Sequence, residues 1–195
     1  MDWGRVLTII IAAILVNNFV LAQFLGLCSF IGISQKLDVS CGMGIAVIFV
    51  ITMSSVITWT IYHWVLAPYH IEYLNIVVFI LVTAAFVQAV EIILKKFKMS
   101  LYKALGIFLP LITCNCIVLY VTLLNVDKKL TFLESVIQGF AAGVGYWLAM
   151  ILLTSMRERL ETADIPRAFQ GIPMAFILAG LLSLAFLGFS GLVLE

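Results

Sequence analysis

Residues 6–33 read VLTIIIAAILVNNFVLAQFLGLCSFIGI, an uninterrupted apolar run with three amide side chains inside it. As one straight helix the run would be about 42 Å long at about 1.5 Å per residue, longer than the ~30 Å hydrocarbon core of a bilayer. Asn17, Asn18 and Gln23 lie in its middle, followed by Gly26. We therefore expect a transmembrane span that is interrupted into half-helices, because amides and glycine compete with a continuous helix.

The rest of the chain repeats this apolar character. Of its 195 residues, 64% are hydrophobic and 11% are charged, whereas average soluble domains are about 45–50% apolar and about 25% charged. A net charge of +1 without a basic cluster argues against nucleic-acid binding. We predict an all-α integral membrane protein with six transmembrane helices, over residues 6–33, 42–66, 71–94, 101–124, 134–155 and 172–194.

Basic residues predict the orientation of these spans. Loops 1–2, 3–4 and 5–6 hold Lys36, Lys95, Lys96, Lys98, Lys103, Arg157, Arg159 and Arg167, whereas the opposite side holds Arg5, Lys128 and Lys129. The positive-inside rule puts the first group in the cytoplasm, so both termini are expected on the outer side of the cell (inner) membrane. We treat residues 1–195 as a single polytopic domain of two inverted three-helix repeats, about 1–98 and 99–195.

Span 4 has the same unusual composition as span 1. Pro110 is followed by Thr113, Cys114, Asn115 and Cys116 near the middle of the span. Proline removes a helical hydrogen bond, so we expect this span to be interrupted as well. Broken helices at membrane depth usually mark a functional site. The alternative is that the asparagines simply join helices through hydrogen bonds.

The chemistry available at that depth is that of thiols. The spans contain almost no ionisable side chains, which argues against an autonomous proton or sodium carrier. Four cysteines are present, Cys28, Cys41, Cys114 and Cys116, and four thiolates are what a 2Fe–2S cluster needs. Their spacing is not that of a soluble ferredoxin, and a cysteine in an apolar helix is often only a small buried hydrophobe. A small inverted-repeat transporter with solute-binding asparagines is the competing hypothesis.

Several specific stretches resemble one family nearly end to end. They are VNNFVL at 16–21, FLGLC at 24–28, GIFLPLI at 106–112 with NC at 115–116, RERL at 157–160, ADIP at 163–166 and AGLLSLAFLGFSG at 179–191. These stretches are similar to the membrane subunits of the Rnf and Nqr ion-translocating complexes, especially the A-type subunits of Rnf. The E-type subunit of the sodium-pumping NADH:quinone oxidoreductase shares the pattern and is the alternative within the family.

This resemblance implies a shared metal centre. In the family, two homologous six-helix subunits of opposite orientation each give two cysteines to one 2Fe–2S cluster. Matched residue by residue, those cysteines are Cys28 and Cys116, with Cys114 as an alternative ligand, whereas Cys41 matches no family cysteine. Asn17, Asn18, Gly26, Pro110, Thr113 and Asn115 would form the breaks around the cluster.

The resemblance also implies an activity and partners. The complex passes electrons between ferredoxin and NAD, coupled to sodium or proton movement, so this chain would be a non-autonomous subunit of a translocase. Its partners would be an RnfE-like homologous subunit, iron–sulfur and flavin subunits, and membrane lipid.

Two polar features remain. Arg157, Glu158, Arg159 and Asp164 are either topogenic charges or a docking surface for a cytoplasmic subunit. Gly139 and Gly143 permit close helix packing, which we expect within this chain rather than with a partner.

Overall fold

The computed structural model describes residues 3–16, 18–34, 37–69, 74–97, 115–161, 166 and 169–188. The prediction of an all-α membrane protein is confirmed, since the described residues contain helices and no strand. The helices are α1 (Trp3–Ile11), α2 (Phe19–Gln23), α3 (Leu27–Ile33), α4 (Leu37–Ile61), α5 (Asn75–Phe97), α6 (Cys116–Asp127), α7 (Phe132–Glu161) and α8 (Ile172–Leu187). A π-helical turn, Ala12–Val16, extends α1, and another, Tyr62–Leu66, leads from α4 into the short helix Ala67–Tyr69.

Each predicted span contains at least one helix in the described part of the chain. Three of these helices are long and apolar enough to cross a membrane, over Leu37–Leu66, Asn75–Ile92 and Phe132–Leu160. The helices in spans 1, 4 and 6 are shorter, over Leu7–Val16, Cys116–Asp127 and Ile172–Leu187. In lipid a backbone must satisfy its own polar groups, which favours helices in these apolar segments.

The centre of the bundle is a close antiparallel contact between α4 and α7. A Cβ atom at Gly143 would lie 2.8 Å from the Cα of Ile48, and one at Gly139 would lie 2.6 Å from the Oγ of Ser55. Glycine is therefore required where the two backbones come together. This confirms the expectation that the two glycines serve packing within the chain.

Span 1 is interrupted, as predicted. α2 ends at Phe24, which has φ 54, and α3 begins after Gly26, which has φ 74. Both residues adopt the left-handed conformation, so the chain cannot continue as one right-handed helix between them. In span 4, α6 begins only at Cys116, and the first half of that span lies outside the described residues.

Candidate functional site

Span 1 is also interrupted before α2, where Asn18 begins the helix. Its Oδ1 accepts a hydrogen bond from the backbone N–H of Val20 at 3.2 Å and so caps α2. Its Nδ2 donates to the carbonyl oxygens of Gly145 at 2.9 Å and Ile14 at 3.2 Å. Both ends of this buried amide are therefore engaged, and Asn18 joins span 1 to α7 as well as starting a half-helix.

The far end of α2 also needs partners, because its last carbonyl groups have none within the helix. The backbone N–H of Leu25 donates to the carbonyl of Phe19 at 3.2 Å. From α8, the hydroxyl of Ser183 donates to the carbonyl of Leu21 at 2.6 Å. A break at membrane depth is thus stabilised by neighbouring protein rather than by lipid.

The break before α6 resembles the one before α2, because an asparagine begins the helix in both. Asn115 has φ −75 and ψ 114, close to the −63 and 108 of Asn18. Its Oδ1 accepts from the backbone N–H of Ile117 at 3.3 Å. Asn18 therefore caps α2 and Asn115 caps α6, whereas Gly26 makes no side-chain cap bond to α3.

The break between α2 and α3 contacts the break before α6. A Cβ atom at Gly26 would lie 2.8 Å from Oδ1 of Asn115, so only glycine fits there. Ser29 Oγ donates to the carbonyl of Gly26 at 3.0 Å and accepts from the hydroxyl of Tyr146 at 2.9 Å. The Nδ2 of Asn115 lies 3.4 Å from the same oxygen. Ser29 is thereby the common partner of both breaks and of α7.

A cysteine lies next to each of the residues that make these contacts. Cys28 lies between Gly26 and Ser29 in the first turn of α3, and Cys116 is the first residue of α6. Both thiols are free and exposed on the surface of the chain, whereas Cys41, on α4, is half-buried. Among the described residues, two accessible thiols therefore lie on two segments that pack against each other.

These residues fit a shared iron–sulfur centre. Thiolates are the usual ligands of such clusters. Because the two thiols are exposed, they are accessible to a cluster that a second subunit also ligates. Among the described residues, no three His, Cys, Asp or Glu side chains lie together in a way that could hold a metal ion. Two thiols are half of the four that a 2Fe–2S cluster needs.

Arg157 and Glu158, predicted as possible docking residues, make hydrogen bonds within the chain. Arg157 donates to the carbonyl of Ile31 at 3.0 Å and to the hydroxyl of Ser34 at 2.7 Å. The neighbouring Glu158 accepts from the backbone N–H of Leu37 at 3.0 Å. Both residues therefore tie α7 to the corner between α3 and α4.

The remaining predicted residues are divided between the surface and the undescribed segments. Arg159 is exposed. Asn17, Pro110, Thr113, Cys114 and Asp164 lie outside the described residues.

Sequence reasoning missed Ser29, Tyr146 and Tyr120 as members of the polar network. Ser29 and Tyr146 connect the breaks to α7, and Gln23 donates to the hydroxyl of Tyr120 at 3.0 Å across the two interrupted spans. Their signal was only that each is a hydrogen-bonding side chain inside an apolar span. Which of these side chains meet is a property of the packing, not of the local sequence.

Comparison with known proteins adds to this geometry. Residues 6–193 match the family described as "Rnf-Nqr subunit, membrane protein". The chain is 52% identical over 187 residues to the A-type subunit of the proton-translocating ferredoxin:NAD(+) oxidoreductase complex of Clostridium ljungdahlii, covering 96% of this chain and 97% of that one.

Two further relatives are similarly close. The A-type subunit of the ion-translocating oxidoreductase complex of Vibrio vulnificus is 54% identical over 185 residues, covering 95% of this chain and 96% of the relative. The A-type subunit of the Na(+)-translocating ferredoxin:NAD(+) oxidoreductase complex of Acetobacterium woodii is 49% identical over 186 residues, covering 95% of this chain and 97% of the relative.

Proposed function

The chain belongs to the Rnf-Nqr family of membrane subunits, and on that premise we propose that it is the A-type subunit of an ion-translocating ferredoxin:NAD+ oxidoreductase complex. It is an oxidoreductase subunit that acts as part of the assembly and has no catalytic cycle of its own. The names of the relatives described above favour this complex over the NADH:quinone type. Membership in this family also weighs against the solute transporter.

Within that assembly, Cys28 and Cys116 supply half of the ligands of one 2Fe–2S cluster, and a homologous six-helix subunit supplies the other half. The observation that carries this proposal is the pair of free, exposed thiols on two helix breaks in mutual contact. When bound, the cluster supplies a one-electron carrier inside the membrane. Cys41 is half-buried on a different helix and serves packing.

The polar residues of the breaks keep the two thiols in place. Asn115 packs against Gly26 and caps α6, which fixes the start of the helix that carries Cys116. Ser29, the residue after Cys28, bonds to Gly26 and Tyr146 and so fixes the first turn of α3. A rigid scaffold of this kind holds ligand side chains in one geometry, as a cluster site requires.

The environment of the chain follows from the same assignment. It resides in the cell inner membrane with both termini on the outer side, next to an RnfE-like subunit of opposite orientation. Iron–sulfur and flavin subunits of the complex exchange electrons with this pair. Arg159, exposed near the end of α7, is the described residue best suited to contact a cytoplasmic subunit.

The test is the iron content of the complex with single cysteines replaced. We expect Cys28→Ser and Cys116→Ser each to abolish the 2Fe–2S electron paramagnetic resonance signal and the corresponding iron and labile sulfide, because serine is a poor cluster ligand. Cys41→Ser is the matched control and should retain all three. Each variant is purified as the complete complex, so that loss of cluster is distinguished from loss of assembly.

Two results would contradict the proposal. A complex that keeps its signal after Cys116→Ser but loses it after Cys41→Ser would reverse the assignment of ligands. A fully assembled wild-type pair of the two homologous subunits without iron would favour the solute transporter instead.

A further inference from the structure

A second polar group lies away from the cysteines, between α4, α6 and α7. In the described part of the chain, the hydroxyls of Ser54, Ser55 and Ser135 and both amide atoms of Asn125 are buried without a hydrogen-bond partner. The four residues are 1%, 0%, 0% and 3% exposed, respectively. Burying such groups unpaired costs free energy, so a cluster of them needs a physical reason.

The contacts around Ser55, Ser135 and Asn125 put these residues near the same end of the three helices. Ser55 lies against Gly139 of α7, one turn from Ser135. One turn beyond Ser55, Trp59 donates to the carbonyl of Leu130 at 3.0 Å, in the turn that connects Asn125 to α7. The backbone N–H of Leu130 in turn donates to the carbonyl of Asn125 at 3.1 Å. Ser55, Ser135 and Asn125 thus lie on neighbouring helices within one or two turns of the α6–α7 turn, and Ser54 precedes Ser55 on α4.

These hydroxyls differ from others on the same helices. On α4, Thr52 and Thr58 donate to the carbonyl four residues earlier, at 2.7 and 2.6 Å, and Ser155 does the same on α7 at 2.8 Å. This back-bond is the usual way for a helical hydroxyl to be satisfied at membrane depth. Ser54, Ser55 and Ser135 do not make it, so their oxygens are available to something else.

We propose that Ser54, Ser55, Ser135 and Asn125 form a binding site for a monovalent alkali cation of the size of sodium. Three hydroxyl oxygens and one amide oxygen are hard ligands, the class that such cations prefer. All four are neutral, which suits a single positive charge, whereas a divalent ion is usually held by carboxylates. The inference rests on the proposed ion-translocating function and gives that function a candidate ion site.

A cavity lies near the candidate site, beside Gln138 of α7. This cavity of about 420 Å³ lies beside α1 and α6, and its polar lining includes Thr8, Gln23, Lys128 and Gln138. Gln138 lies three residues after Ser135 on α7, on the same face of the helix. The cavity also includes Tyr120, which bonds to Gln23 between the two interrupted spans. The cavity therefore reaches Gln138, one turn from Ser135 on α7, and the side chains between the interrupted spans.

The experiment measures how sodium affects the complete complex. Ferredoxin-dependent NAD+ reduction is titrated with NaCl at constant ionic strength, with KCl as replacement, and equilibrium binding of radioactive sodium is measured on the same preparations. Loss of one ligand in Ser135→Ala should raise the half-saturating sodium concentration about tenfold. Asn125→Asp, which keeps the shape and adds a negative charge, should lower it.

The control is Ser155→Ala, on the same helix as Ser135, whose hydroxyl is already bonded to Ile151. It should leave both sodium measurements unchanged. Equal half-saturation in Ser135→Ala, Asn125→Asp and Ser155→Ala would overturn the site, as would wild-type electron transfer that is indifferent to sodium. A wild-type complex that binds sodium at this site but transfers no electrons would instead refute the proposed function.

Discussion

At the scale of single residues, two asparagines perform the same task in different spans. Asn18 and Asn115 have nearly the same backbone angles, and each accepts a hydrogen bond from the N–H two residues later. Each therefore begins a helix in the middle of an apolar stretch. Joining helices and interrupting them were alternative interpretations of these residues, and Asn18 does both, because its other amide atom reaches α7.

Gly26 provides the sharpest prediction at this scale. Gly26→Ala should destabilise the chain by at least about 1–2 kcal/mol, because an L-residue is strained at φ 74 and its Cβ would press on Asn115. Thermal unfolding of the purified complex measures this. Gly32→Ala is the control, since a Cβ there meets nothing within 4 Å. Equal unfolding temperatures for the two variants would show that the contact between the breaks is unimportant.

At the scale of elements, short and long helices have different functions. The five-residue α2 and seven-residue α3 are too short to cross a bilayer, and they depend on bonds from α7 and α8. The long helices α4 and α7 supply the rigid centre on which those bonds depend. Interrupted helices can present a site only where continuous ones support them.

The α4–α7 contact yields a prediction of its own. Gly143→Ala should destabilise the chain by about 1–3 kcal/mol, because its Cβ would meet the backbone of Ile48, which cannot rotate away. The yield and thermal unfolding of the complex report this effect. Gly180→Ala on α8 should be neutral or slightly stabilising, since nothing lies within 4 Å of its Cβ. A Gly143→Ala complex as stable as wild type would contradict the close packing.

At the scale of the whole molecule, the distribution of charge and the exposure of thiols point to an assembly in a membrane. The centre of the chain is apolar, and large hydrophobic side chains such as Leu81 and Leu184 remain exposed at 67% and 66%. Such surfaces suit lipid or another membrane subunit. Cys28 and Cys116 open onto the outside of the chain rather than into its core.

Orientation is the prediction that belongs to this scale. With eight basic residues on one side and three on the other, the positive-inside rule puts the C-terminus outside the cell. Alkaline phosphatase fused there should be active and a green fluorescent protein fused there should be dark, because each folds on only one side of the membrane. Fluorescence from the second fusion would invert the whole topology.

How far the site could be predicted differs from residue to residue. The break near Gly26 was predictable because an apolar run too long for one helix contains amides and a glycine. The left-handed Phe24 was not, because phenylalanine has no preference for that conformation and adopts it only where neighbouring helices secure the turn. From the sequence, Arg157 was recognisable only as a charged residue. In the structure it joins α7 to the end of α3 through hydrogen bonds to Ile31 and Ser34.

By itself, the sequence determined that this is a helical membrane protein whose first span is interrupted, because composition and run length are local properties that a bilayer constrains strongly. Only the tertiary structure decided that the two breaks meet at Gly26 and Asn115 and that Ser55 of α4 packs against Gly139 of α7. Contacts between residues about ninety positions apart depend on how helices cross. That geometry is set by packing across the whole bundle and cannot be predicted from any single segment.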